Sequence, residues 1–256
     1  PLIPVIAIPT TYAGSEMTPV YGITQHSSGS ARKVTVNDPK IAPKLVIYDP
    51  MLTLDTPSDL TASSGINALA HCVEAVYSLS RNPLSTAAAL EGAGRIVHSL
   101  RRSTEAGNDL DARADLQLGA HLAGFALASV AMGLHHGLCH VLGGTAGVPH
   151  GIANAIILPH AMRFNADVCA HELAQIARAM GLPCEGRDEA TLALDAARFV
   201  DELVAQVHLP QRLREVRVDK SDLQRLAGLA AASRTVQNNP KPIVAAEIEA
   251  ILRAAW

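Results

Sequence analysis

Across residues 1–50 the apolar runs are short, and each is closed by a turn-forming residue. The run 3–8 ends at Pro9, the runs 21–24 and 33–36 flank a turn at 26–30, and 44–48 stops at Asp49-Pro50. Runs of this length, bounded by Pro, Gly, Ser and Asp, predict strands. From Thr56 onward the pattern changes to long Ala/Leu/Val segments, and these predict successive helices. They fall at 57–63, 65–78, 83–102, 109–131, 135–142, 151–165, 171–180, 189–207, 220–231 and 242–254. The class expected is α+β, with a strand-rich piece over 1–56 and an all-helical domain over 57–256.

Composition narrows the picture. Hydrophobic residues make up 48% and charged residues 18%, enough apolar material for a packed core. Net charge is −3 with no basic block, and aromatics are 3%, so nothing in the chain suits nucleic acid. The longest apolar stretch, 122–134, is rich in Gly and Ala and too short to span a membrane, so it reads as one buried helix. The four cysteines, Cys72, Cys139, Cys169 and Cys184, form no close pair and read as packed thiols of a cytoplasmic protein. Pro1 leads straight into an apolar run with no basic segment before it, which reads as a start inside something longer.

The histidine spacing carries the chemistry. Asn67 and His71 are four apart and share one helix face, with Glu74 three further on roughly the same side. His136 and His140 repeat that spacing on a later helix, which Gly143-Gly144 is expected to break, and His150 stands at the entrance of the next one. Each histidine alone reads as an ordinary core or surface residue. Together His71, His136, His140 and His150 predict one shared site, since imidazoles bind borderline divalent cations, polarise carbonyls and move protons. His135 points off the 136/140 face. His26, His98, His121, His171 and His208 show no partner pattern, and His160 is assigned neither way.

The run 133–165, GLHHGLCHVLGGTAGVPHGIANAIILPHAMRFN, resembles the signature of the iron-containing (group III) alcohol dehydrogenase superfamily. Within it the TTYAGSEMT run at 10–18, NALAHCVEA at 67–75, LGGT at 142–145 and NNPKP at 238–242 resemble the maleylacetate reductase branch. The resemblance implies a dehydroquinate synthase-like fold in which 1–56 closes an α/β nucleotide-binding domain. It places the metal ligands on His71, His136 and His150, and an additional active-site histidine on His140. The fourth family ligand is an aspartate, and here the position is Asn67. That neutral oxygen should weaken a divalent iron or zinc ion. The segment PHGIAN at 149–154 looks more like the alcohol dehydrogenases.

The resemblance also implies NADH or NADPH, with Thr10, Thr11 and Ser15 in a loop along the nicotinamide. Lys33, ten residues before Pro43, would be a cofactor contact. No glycine-rich diphosphate loop occurs in the sequence; the family's lies upstream, so the N-terminal cofactor-binding part is expected to be missing. The implied activity is reduction of the dicarboxylate maleylacetate to 3-oxoadipate by a cytoplasmic homodimer, with no nucleic-acid or membrane partner. In that picture His71, His136, His140, His150 and the Asn67 amide donate hydrogen bonds to the developing enolate and a carboxylate. The alternative is a metal-dependent alcohol dehydrogenase.

Overall fold

The computed structural model describes residues 3–27 and 30–256, with the side chains of 24–35 outside that description. Among the described residues, strands β1 (Ile6–Ala7) and β4 (Leu45–Val46) pair in parallel, Ile6 opposite Leu45. Strands β2 (Val20–Ser27) and β3 (Ser30–Asn37) form an antiparallel hairpin running from Val20 opposite Asn37 to Ser27 opposite Ser30. Ten helices follow: α1 (Ser58–Tyr77), α2 (Pro83–Glu105), α3 (Leu110–Ser129), α4 (Leu134–Ala146), α5 (His150–Asn165), α6 (Ala170–Ala179), α7 (Glu189–Gln206), α8 (Leu223–Ala231), α9 (Arg234–Gln237) and α10 (Ala245–Ala254). The fold is thus α+β, strands first and helices after, as the hydropathy pattern indicates.

Local chemistry starts several of these helices. Asn82 accepts from the Leu84 and Ser85 backbone N–H groups at 3.0 Å, and Ser85 Oγ accepts from Asn82 N, a reciprocal cap just before Pro83 in the first helical turn. Asp109 and Asp188 accept from the third helical N–H of α3 and α7.

Two apolar cores result. One joins α1, α2, α3, α6 and α7; the other joins α4, α5, α8 and α10. Helix α1 is the hub, buried from Thr61 to Tyr77. A helix covered on all sides has no polar stripe, and α1 accordingly uses small residues around its circumference. At Gly65 a Cβ would stand 2.5 Å from Leu100 Cδ1, so any larger residue would push the Leu100 side chain aside.

The boundaries differ from the sequence expectation for physical reasons. The segments 57–63 and 65–78 form the single helix α1, because close packing at Gly65 outweighs the intrinsic glycine penalty of about 1 kcal/mol. Helix α4 likewise runs through Gly143-Gly144 to Ala146 and ends only at Gly147, whose φ is 70°. The apolar stretch 122–134 is not one helix. Helix α3 stops at Ser129 and α4 begins at Leu134, with the chain bent by 99° between them. Among the described residues no single helix is long and apolar enough to cross a membrane. The segment 220–231 divides into a 3-10 turn, Lys220–Asp222, and α8, while 242–254 becomes helical only at Ala245. The runs 3–8 and 44–48 pair over just two residues each, and Ile6 and Leu45 remain exposed.

Candidate active site

Helix α1 presents Asn67, His71 and Glu74 on adjoining turns, all buried. The bend between α3 and α4 brings the start of α4 onto Glu74. A Cβ at Gly133 would stand 3.2 Å from Glu74 Oε1, so glycine makes this approach easy. Glu74 Oε1 accepts from the backbone N–H of Gly133 at 3.2 Å and of His135 at 3.0 Å. Glu74 Oε2 accepts from the His136 backbone N–H at 3.3 Å and lies 2.5 Å from His136 Nδ1. A carboxylate from one helix therefore caps the open N–H groups of another, where the helix dipole favours negative charge. Burial pushes the Glu74 carboxyl up from its usual range, while His135 and the backbone donors pull it down.

Helix α5 is set against α1 by a second glycine contact: a Cβ at Gly151 would lie 2.9 Å from Ser63 Cβ and Ser63 O. His150 is thereby carried to the same place as His71 and His136. Asn154 Nδ2 donates to the His150 carbonyl at 2.7 Å and fixes this first turn.

The four sequence-predicted histidines do come together. The His71 and His136 rings stack with centroids 4.8 Å apart and planes 19° apart. His136 lies 6.4 Å from His140 and 6.2 Å from His150, and His140 and His150 stack at 5.7 Å. His71 and His136 are buried, His150 is half-buried and His140 is exposed. Burial first, and then the repulsion of neighbouring imidazoles, holds His71 and His136 well below the ordinary histidine value, so both are neutral near pH 7. His135 is fully buried against His136, centroids 4.8 Å apart, and burial lowers it to about 3. It belongs to the scaffold of the cluster.

Three buried polar atoms in the site have no protein partner: Asn67 Oδ1, His71 Nδ1 and His136 Nε2. Buried polar atoms are almost always satisfied, so these point to a ligand. Asn67 Oδ1 is a pure acceptor, and the imidazole nitrogens are those of neutral rings. That chemistry suits a borderline divalent cation, for which Asn67, His71, His136 and His150 are the candidate donors, none of them a carboxylate. Donor atoms of Glu74, His135 and His136 also lie within 4.8 Å of one another. They are engaged with each other and with the α4 backbone, which leaves that trio a support of the site rather than an ion site.

A further polar layer went unassigned in the sequence. Asn239, in the 238–242 segment, accepts from Leu134 N at 3.4 Å and so holds the α4 start from the other side. Lys241 Nζ donates to Phe164 O at 3.2 Å and pairs with Asp167 at 2.7 Å, tying the same segment to the end of α5. Neither residue type suggests such a role without coordinates. Glu74 did carry a signal, its place three residues after His71.

The expected cofactor loop follows β1. Thr10 and Ser15 are exposed and Thr11 is half-buried. Tyr12 pins the loop: its N–H donates to Ser64 Oγ at 3.2 Å, and its hydroxyl donates to Thr53 Oγ1 at 2.9 Å and accepts from Arg113 at 2.9 Å. Ser64 lies one turn before Asn67, so the loop is anchored to the helix that carries the site. Gly14 has φ 73°, and a Cβ there would stand 2.6 Å from Ala120 O on α3. The exposed Thr10 and Ser15 hydroxyls fit a contact to a nicotinamide ribose or carboxamide. The backbone of Lys33 lies in β3, while its side chain is outside the described residues. A separate cavity of about 590 Å³ lies between β4 and α3, with none of the four histidines in its wall. There Tyr48 donates to Glu16 at 2.8 Å and sits 3.1 Å from His121 Nδ1, a partner the sequence did not suggest.

A family model described as the C-terminal part of the Fe-containing alcohol dehydrogenase family matches residues 61–256, and one described as iron-containing alcohol dehydrogenase matches residues 1–50. A maleylacetate reductase of Burkholderia cepacia is 37% identical over 99% of the chain and 67% of its own length. The crystal structure of maleylacetate reductase from Rhizobium sp. strain MTP-10005 superposes with a TM-score of 0.87 at 36% identity, covering 99% of this chain and 67% of that one. An alcohol dehydrogenase from Oenococcus oeni superposes with a TM-score of 0.94 at 30% identity, over 100% of this chain and 67% of that one. These matches define an oxidoreductase. The chain belongs to the iron-containing alcohol dehydrogenase family, and it spans about two thirds of the length of these relatives.

Proposed function

We propose that the protein reduces maleylacetate to 3-oxoadipate with NADH or NADPH, as a cytoplasmic homodimer in aromatic-compound breakdown. The observation that carries this reading is the imidazole cluster closed by a neutral Asn67 where a metal-dependent relative would place an aspartate. A dicarboxylate meets no like charge at that position. The maleylacetate reductases among the relatives support it.

Bound NAD(P)H would supply hydride to the alkene carbon β to the ketone. The alkene electrons then move toward the ketone, and charge develops on its oxygen as an enolate. Asn67 Nδ2 can donate a hydrogen bond to a substrate oxygen. His71 and His136 enter the reaction as neutral rings, so neither serves as an imidazolium donor. His140, exposed at the mouth of the cluster, is placed to exchange protons with water and return one to the α carbon. A divalent ion held by His71, His136, His150 and Asn67 would supply a Lewis acid for the ketone oxygen.

The second reading, a metal-dependent alcohol dehydrogenase, is favoured by one feature: the acceptor Asn67 Oδ1 is left open in the buried site and suits a cation. The test is NAD(P)H oxidation by the intact protein with maleylacetate and with a simple aldehyde, each with and without chelator, alongside metal analysis. Chelator-resistant turnover of maleylacetate supports the first reading. Chelator-sensitive turnover of the aldehyde alone supports the second.

A further inference from the structure

We infer that Glu74 is a positioning residue that, together with His135, locks His136 in one tautomer, with the proton on Nδ1 and a lone pair on the buried, unpartnered Nε2. The donors and acceptors around the two rings decide the tautomer. His135 Nε2 lies 3.3 Å from the Asn154 carbonyl, which can only accept, and 3.6 Å from Cys139 Sγ, which can do either, so the carbonyl sets the His135 proton on Nε2. His135 Nδ1 is then a lone pair, and it stands 3.2 Å from His136 Nδ1. Glu74 Oε2 stands 2.5 Å from the same atom and takes the His136 backbone N–H as well. Three backbone N–H groups donate to Glu74 and favour its carboxylate form, so both neighbours of His136 Nδ1 are acceptors and that nitrogen holds the proton. His136 Nε2, buried and without a protein partner, is left as an acceptor aimed at the ligand position.

The same carboxylate caps α4 through Gly133 and His135. Helix start and ring state are therefore set by one side chain. Such carboxylate–imidazole pairs orient a ring and raise its basicity as a ligand. The inference deepens the reading above and rests on it for the substrate only; the tautomer follows from the hydrogen bonds alone.

The substitution that separates the two roles is Glu74→Gln. Its single carbonyl oxygen can still accept from Gly133 and His135, while its amide turns N–H toward His136 Nδ1 and the His136 backbone N–H alone loses its acceptor. Imidazole nitrogen NMR of the intact protein reads the tautomer directly. The expected native result is a proton on Nδ1 of His136, moving to Nε2 in Glu74→Gln. Zinc affinity of the intact protein should weaken by about tenfold or more, and maleylacetate kcat should fall while KM for NAD(P)H stays unchanged. A native His136 protonated on Nε2 overturns the inference whether or not the variant folds. Lost activity in a folded Glu74→Gln whose His136 tautomer is unchanged also overturns it. The expected tautomers in a protein that does not turn over maleylacetate uphold the inference and sink the functional reading instead.

Discussion

Asn165 and Asn239 exchange two amide hydrogen bonds across a separation of 74 residues, at 3.0 and 2.7 Å. Asn239 also accepts from the Leu134 backbone, and both asparagines are buried. Asn239→Ala leaves the Asn165 amide without this partner and removes a support of the α4 start. Unfilled buried amide positions destabilise by about 1–3 kcal/mol each, so the variant should lose about 3 kcal/mol in urea unfolding. It should also lower turnover through His136. A loss below about 1 kcal/mol would show that water takes over these contacts.

The loop after β1 depends on a glycine it does not contain. A Cβ on Gly124 of α3 would collide with Gly14 O and stand 2.8 Å from Met17 Cγ. Gly124→Ala should therefore destabilise by about 1–3 kcal/mol and push the loop outward. In steady-state kinetics, KM for NAD(P)H should rise more than KM for maleylacetate. Equal changes in both would remove the loop from the cofactor side.

Converting Asn67 to aspartate restores a carboxylate to the donor set. Divalent zinc should bind tighter by on the order of tenfold or more, since ligand charge sets affinity at such sites. Maleylacetate kcat/KM should fall, because the new charge faces a dianion. Isothermal titration with zinc and steady-state kinetics check the two halves separately. Unchanged zinc affinity would mean that Asn67 does not belong to the donor set.

His160 gives the protein an acid-sensitive term remote from the cluster. Burial, then the charge of Arg163, lowers it to about 4 from an ordinary 6.5, with Asp201 opposing and Arg212 adding to the shift. A folded value below the unfolded one means the unfolded chain takes up a proton first as pH falls. The stabilisation from keeping this ring neutral is whole above pH 6.5 and is lost on the way down to about 4. It amounts to about 3 kcal/mol at most. His160→Gln should flatten that part of the stability–pH curve, measured by urea unfolding across the range. A curve parallel to the native one would place the acid sensitivity elsewhere.

Much of the site was readable from spacing. Four-residue intervals put Asn67 with His71 and His136 with His140, because helix geometry makes that a short-range rule. The convergence of α1, α4 and α5 was not readable in the same way. It depends on glycine contacts at Gly133 and Gly151, whose partners are Glu74 and Ser63 in a distant helix. Gly143-Gly144 looked like a stop because local propensity says so, yet α4 continues through it to Ala146. His135 looked unrelated to the cluster by its angle on the helix wheel. Only coordinates show that its ring bridges the Asn154 carbonyl and His136. Asn239 belongs to a motif with no intrinsic chemistry, and its role exists only across the 74-residue separation from Asn165.

The uneven burial of the four imidazoles gives the cluster a dry end at His71 and His136 and a wet end at His140. A molecule lying across it has one terminus among lone pairs shielded from solvent and the other in contact with bulk protons. A cluster graded in this way would read direction: a substrate with unlike ends would be productive in one orientation only, and the step that needs a proton would stay at the end where water can replenish it.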